Sequence, residues 1–224
     1  MSDALLEFRS AALPLPDLSR TRPLSFTLRP GELGLVSLPD EVSGLPIADA
    51  ACGLVSPTSG EVLFRGSDWA RMGASEESRQ RGVIGRVFEG RAWLSNLDLD
   101  ENIVLASVHQ GRGRGECLRE AAELAAKLGL AAIPAKRPSW ITPRESLLAQ
   151  WTRALLGGKP LLVLELPTRS IDAREAARFA AVLAERLTAG AAALVVESSD
   201  HLAWLRNLPV SFTLTAQDVQ PETP

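Results

Sequence analysis

The sequence predicts an α/β protein built on a mostly parallel sheet, and three observations carry that prediction. Apolar runs of strand length recur, among them Leu161–Leu164 and Ala191–Val196. Continuous rather than alternating apolar runs mark strands buried on both faces. Between them lie segments with apolar residues at helical spacing, such as Leu118, Ala121, Ala122, Ala125 and Leu128. Strands alternating with helices imply a parallel sheet covered on both sides.

A chain of 224 residues, 46% hydrophobic and 23% charged, suits one sizeable globular domain rather than disorder. The net charge of -3 gives no general pull toward nucleic acid, and no nucleic-acid partner is expected. Cys52 and Cys117 are far apart with no metal spacing around them, so they are expected as reduced, buried thiols of a cytosolic protein, with no metal site. No apolar run reaches bilayer-spanning length, and the N-terminus lacks the basic and apolar regions of a signal peptide.

In chain order, the segment up to about Pro30 is broken by Pro14, Pro16 and Pro23 into short edge-type strands and turns. Leu33–Ser37 reads as a buried strand, and Ile47–Leu54 shows helical spacing interrupted by Asp49. A turn at Pro57–Gly60 precedes a short strand, Glu61–Phe64, and Val83–Phe88 is another. From there to about Arg137 the chain reads as helical, with Gly129 suited to a helix stop. Leu147–Leu156 is a further helix ending at Gly157-Gly158. Asp172, with Glu175 three residues on, predicts a capped helix running to about Leu187 and closed by Gly190. Val210–Leu214 is the last strand, and Gln217–Pro224 reads as a loose polar tail.

The segment from Leu161 to Asp172 is the most specific. Four apolar residues run into Glu165, followed by Leu-Pro-Thr-Arg-Ser-Ile-Asp. It resembles the Walker B motif and D-loop of ABC-transporter ATPases. Glu165 then stands at the metal-side acid, Leu166 at the catalytic glutamate and Asp172 at the D-loop aspartate. Leucine accepts no proton and orients no water, so no catalytic residue is expected there.

The resemblance spans roughly Leu24 to Ala203. Gly31-Glu32 and Cys52–Val62 bracket the place of a phosphate loop. There the chain has Leu38-Pro39-Asp40-Glu41-Val42-Ser43-Gly44-Leu45-Pro46. Gly44 takes the lysine position, and Leu45 and Pro46 take the Ser/Thr positions. Asp40 and Glu41 add negative charge where a triphosphate would sit, and like charges about 4 Å apart repel by roughly 1–4 kcal/mol. No Lys or Arg lies between Pro30 and Arg65 to offset this. Ile84–Glu89 resembles the strand into the Q-loop, with Glu89 in place of Gln. Trp93–Ile103 resembles the approach to the helical subdomain, where the family forms the groove for a permease's coupling helix. Ordinary core packing of Trp93, Leu94 and Leu97 is the other reading. The segment also looks like that of phospholipid-trafficking ATPases. At the signature stand Thr142, Pro143 and Arg144, which keep a hydroxyl and lose both glycines. Ser198 occupies the switch-histidine position, with His201 three residues on.

The resemblance implies the P-loop NTPase-like ABC ATPase fold: a mostly parallel core sheet, an antiparallel N-terminal β subdomain and a helical subdomain. Residues 1–224 are expected to form one unit, with the core and β subdomain at about 1–88 and 158–224 and the helical subdomain at about 89–157. Functionally it implies a catalytically degenerate ATP-binding-cassette subunit on the cytoplasmic face of the membrane. Its partners would be an integral-membrane permease and a second nucleotide-binding subunit, as homo- or heterodimer. Mg-ATP is expected to bind weakly if at all. A soluble regulatory scaffold and an ATPase with unconventional ligands, such as Glu165 and Glu89, are the alternatives.

Overall fold

The computed structural model describes residues 3–17, 19–39, 45–90 and 92–219. Strands β1 (Leu6–Ala12), β2 (Leu24–Leu28) and β3 (Leu33–Leu38) lead to the short helix α1 (Ile47–Ala51), then β4 (Ser59–Phe64), β5 (Ser67–Asp68), α2 (Ala74–Gly82) and β6 (Ile84–Val87). Helices α3 (Leu99–His109), α4 (Arg114–Leu128) and α5 (Pro143–Leu155) follow consecutively. The chain then returns through β7 (Leu161–Glu165), α6 (Ala173–Thr188), β8 (Ala192–Ser198), β9 (Val210–Thr215) and α7 (Ala216–Val219).

The strands form two sheets. The first has the order β2-β1-β4-β5 and is antiparallel throughout. The second has the order β6-β7-β8-β3-β9, and every pairing in it is parallel. In β7, Leu161 and Val163 face the layer shared with the antiparallel sheet, together with Phe8, Val36, Phe64 and Leu194. Leu162 and Leu164 face the opposite layer, where Trp151 of α5 and Phe179 of α6 stack 4.2 Å apart. Both faces are covered, which is why the strand reads as an unbroken apolar run. A third apolar cluster holds α3, α4 and α5 together through Leu99, Ile103, Cys117, Ala121 and Ala149. Gly85 is required where α5 crosses β6, since a Cβ there would meet the Ala154 carbonyl oxygen at 2.0 Å.

The elements depart from the sequence expectation in five places. The helix expected over Ile47–Leu54 stops at Ala51, where Gly53 turns the chain with φ +66. Helix α5 begins at Pro143 rather than Leu147, because Thr142 and Glu145 form a capping box with proline in the first turn. The long helical stretch splits at Gly111 (φ +89) into α3 and α4. Helix α2 has no buried residue and hence no apolar period to read. The tail expected from Gln217 starts as the short α7, which buries Val219, while Asp218 accepts from the backbone and hydroxyl of Thr215. No helix among the described residues is long and apolar enough to cross a membrane.

Parallel registers put the ends of four strands on one edge. Val87 pairs with Leu164, Glu165 with Val196, and Leu38 with Ser198. In open α/β sheets, ligands bind beyond the carboxyl ends of the strands. The residues following β6, β7 and β8 therefore converge where a site is expected.

Candidate functional site

The tip of β7 carries Glu165, and its carboxylate is already engaged. Arg86 of β6 directs Nη2 to Glu165 Oε2 at 2.8 Å and to Asp49 Oδ1 of α1 at 2.7 Å. Adjacent parallel strands bring Arg86 beside Glu165, and α1 closes the triad from above. Burial raises the Glu165 pKa, and the guanidinium works against that rise. For Arg86, burial opposes the charge, but attraction to Glu165 and hydrogen bonds to Glu165 and Asp49 outweigh it. The Arg86 cation thus stands permanently against the strand-end acid. Buried Cys52 beside it is pushed up to about 11 by desolvation, so it is a neutral thiol at neutral pH.

Leu166 follows with φ +41, a left-handed conformation unusual for a branched apolar residue. Its N–H donates to Val196 O at 2.8 Å, and Trp151 Nε1 donates to Pro167 O at 2.8 Å, so neighbouring elements enforce the turn. Thr168 Oγ1 donates to Glu197 Oε2 at 2.9 Å. Glu197 is buried at the end of β8 and also accepts from Trp204 Nε1 at 3.1 Å and Ser198 N at 3.0 Å. Burial raises its pKa, and those three donors oppose the rise. Both its oxygens are committed, so Glu197 braces the turn rather than serving as a free base.

Glu89, just past β6, pairs with Arg169 Nη1 at 2.9 Å. With Pro143, Gln150, Leu166 and Ser170 it lines a cleft of about 140 Å3. The structure therefore gathers Glu165, Leu166, Glu89 and Pro143 at one edge. Thr142 serves as the N-cap of α5, its Oγ1 accepting from Glu145 N at 3.1 Å. Arg144 does not point at the cleft: it pairs with Glu175 of α6 through Nε at 2.5 Å. Asp172 caps α6, its Oδ1 accepting from Glu175 N at 2.8 Å. Ser198 is buried, and its Oγ accepts from Asp200 N at 3.3 Å as the N-cap of a 3-10 helix over Ser199–Leu205. His201 lies exposed on that helix. Leu45 packs against the apolar layer between the sheets. Asp40, Glu41, Ser43 and Gly44 lie outside the described residues.

Arg86 and Asp49 were not legible as partners in the sequence. The signal was present, since an arginine interrupts the buried Ile84–Val87 run and an aspartate interrupts the apolar face of α1. A buried charge demands a counter-charge, but only the strand order says which one.

No protein-family profile matches the sequence. The lipoprotein-releasing system ATP-binding protein LolD 1 of Rhodospirillum rubrum is 34% identical over 157 residues, covering 68% of this chain and 69% of that protein. The chain belongs to the ABC-transporter ATP-binding subunits. It is also 28% identical over 148 residues to the pyoverdine export ATP-binding/permease protein PvdT of Pseudomonas fluorescens, but spans only 22% of that protein's length. Among solved structures, the dimeric bacterial ABC transporter cassette MJ0796 superposes with a TM-score of 0.83, covering 96% of each chain at 18% identity. The same cassette bound to ADP and Pi superposes at 0.76, again at 18% identity. These likenesses confirm the ABC ATPase fold, with its parallel core, antiparallel sheet and helical region.

Within that family, Mg-ATP would sit at this strand edge, and the described residues fit it poorly. The two carboxylates that could face a metal, Glu165 and Glu89, each hold an arginine instead. Leu166 offers no ligand atom, and Thr142 and Ser198 spend their oxygens on helix caps.

Proposed function

We propose that this chain is a catalytically silent ATP-binding-cassette subunit of a membrane transporter. It docks on an integral-membrane permease at the cytoplasmic face and pairs with a second cassette, either its own copy or an active ATPase. The observation that carries this reading is the Arg86–Glu165 pair beside Leu166. An internal cation occupies the strand-end acid, and the next position cannot activate water. Arg144, turned toward Glu175, supports the same reading at the signature. The described strands and helices keep the ABC ATPase fold around these residues, as expected for a scaffold whose role does not need turnover. The name of the 34% identical relative, a lipoprotein-releasing system ATP-binding protein, suggests the transport class: lipoprotein release.

Calorimetric titration with Mg-ATP, combined with a phosphate-release assay on the isolated chain, tests the proposal. The expected outcome is no saturable binding in the micromolar range and no release above background. Binding in that range or measurable turnover would make this an ATPase with unconventional ligands. Purification from native membranes tests the partner: recovery with an identified permease supports transport, and a chain found without one favours the soluble scaffold.

A further inference from the structure

Each of the two sheets has two edges, and three of the four edge strands are protected. β6 is buried along its whole length. β5 is only two residues long. β2 is flanked by Arg22-Pro23 on one side and Arg29-Pro30 on the other. Burial, shortness, charge and proline are the usual devices that keep an edge from pairing with another chain. The fourth edge strand, β9, reads Val-Ser-Phe-Thr-Leu-Thr, with no charged residue and no proline inside it. Val210, Ser211, Thr213 and Thr215 are exposed. β9 pairs with β3, and no described strand lies on its outer side.

The strand is held in place from its inner face. Phe212 and Leu214 pack against the apolar layer between the sheets. The Phe212 ring lies over Gly34, where a Cβ would meet it at 2.3 Å, and 5.1 Å from the Phe26 ring. Side chains alternate along a strand, so Thr213 and Thr215 carry their hydroxyls on the opposite face. Ser211 is an extra residue in the pairing with β3, and the ladder runs regularly from Phe212 to Thr215. Thr215 closes the strand: its N–H and hydroxyl donate to Asp218 Oδ2 at 2.7 and 2.9 Å. A short, flat, uncharged row of backbone groups is left facing outward.

We infer that β9 pairs with β9 of a second copy of this chain, antiparallel about a two-fold axis through Thr213, so that the two parallel sheets join into one. A two-fold contact requires a patch that complements itself, and this strand does. About that axis Phe212 lies opposite Leu214, Thr213 opposite Thr213, and Ser211 opposite Thr215. Apolar side chains then meet on the inner face and hydroxyls on the outer one, the pairings that favour neighbouring strands. No like charges meet, although the whole chain carries a net charge of -3. A shift by one residue would set Phe212 against Thr213 and mix the two faces. A shift of the axis to Phe212 would draw the bulge at Ser211 into the ladder. β8 and β3 separate β9 from the tip of β7, so this contact is independent of the nucleotide edge.

Sedimentation of the full chain over a range of concentrations, without nucleotide, tests the contact. The parent is expected to pass from one chain mass to two as concentration rises. Thr213→Lys sets like charges opposite one another on the axis and is expected to weaken dimerisation at least about tenfold, or ~1.4 kcal/mol. Thr213→Cys is expected to give a disulfide-linked dimer that reductant reverses. The parent should give none, because Cys52 and Cys117 are buried. Thr213 is exposed at the sheet edge, so neither substitution disturbs the core. A parent that stays monomeric at every concentration, a Thr213→Lys variant that dimerises as the parent does, or a Thr213→Cys variant that does not cross-link overturns the assignment.

Discussion

Arg86 is the residue on which the strand edge turns. Removing one member of a buried ion pair leaves an uncompensated charge, at a cost of roughly 3–5 kcal/mol. Arg86→Met is therefore expected to lower the unfolding free energy, read from urea titration, by that amount, through Glu165 stranded at 18% side-chain exposure. Adding Glu165→Leu should restore most of the loss, because Asp49, at 42%, can face water alone. A double variant no more stable than Arg86→Met would show that Arg86 acts through packing, not charge. Glu197 supplies a second test at this scale. Its folded pKa is raised by burial, so the native state holds its proton to higher pH than the unfolded chain. The resulting stability is complete below the ordinary glutamate range and is lost as pH rises through the raised value. Glu165, shifted in the same direction, adds to the trend. Stability measured by urea unfolding across mildly acidic pH should decline more gently in Glu197→Gln.

Among the elements, α5 shows what the Thr142–Glu145 segment does for the fold. Thr142, Pro143 and Glu145 make a complete helix start, with both capping hydrogen bonds present. Thr142→Ala should cost about 1 kcal/mol, the usual worth of such a cap, read from the same unfolding curves. An unchanged midpoint would mean that the hydroxyl serves something outside the helix. The turn after β7 is fixed by its surroundings: Trp151 holds Pro167, Glu197 holds Thr168, and Leu166 is kept at positive φ. Local sequence could suggest a turn there, since Pro-Thr-Arg-Ser is rich in turn formers. It could not give the sign of the Leu166 torsion, which the bonds to β8 and α5 impose.

At the scale of the whole molecule, the question is whether one residue separates this chain from an active ATPase. The expected answer is no. Leu166→Glu places a carboxylate after Glu165, but Arg86 still occupies Glu165, Arg169 still holds Glu89, and Arg144 still faces Glu175. Phosphate release by Leu166→Glu should stay at background with Mg-ATP present. Turnover in that variant would mean that the remaining site is intact and that the arginine pairs open on nucleotide binding.

The sequence by itself determined the fold class and the family. Apolar runs and helical spacing arise from burial on one or both faces of an element, and that burial is written residue by residue. It also singled out Glu165, Leu166, Glu89, Thr142 and Ser198, which the structure sets at strand ends and helix caps. It misjudged the start of α5 and the extent of α1, because caps and glycine turns compete with apolar spacing at element ends. The tertiary structure alone decided which charges meet. Arg86 and Glu165 are 79 positions apart, and nothing local in either segment names the other; only the β6-β7 pairing sets their side chains together.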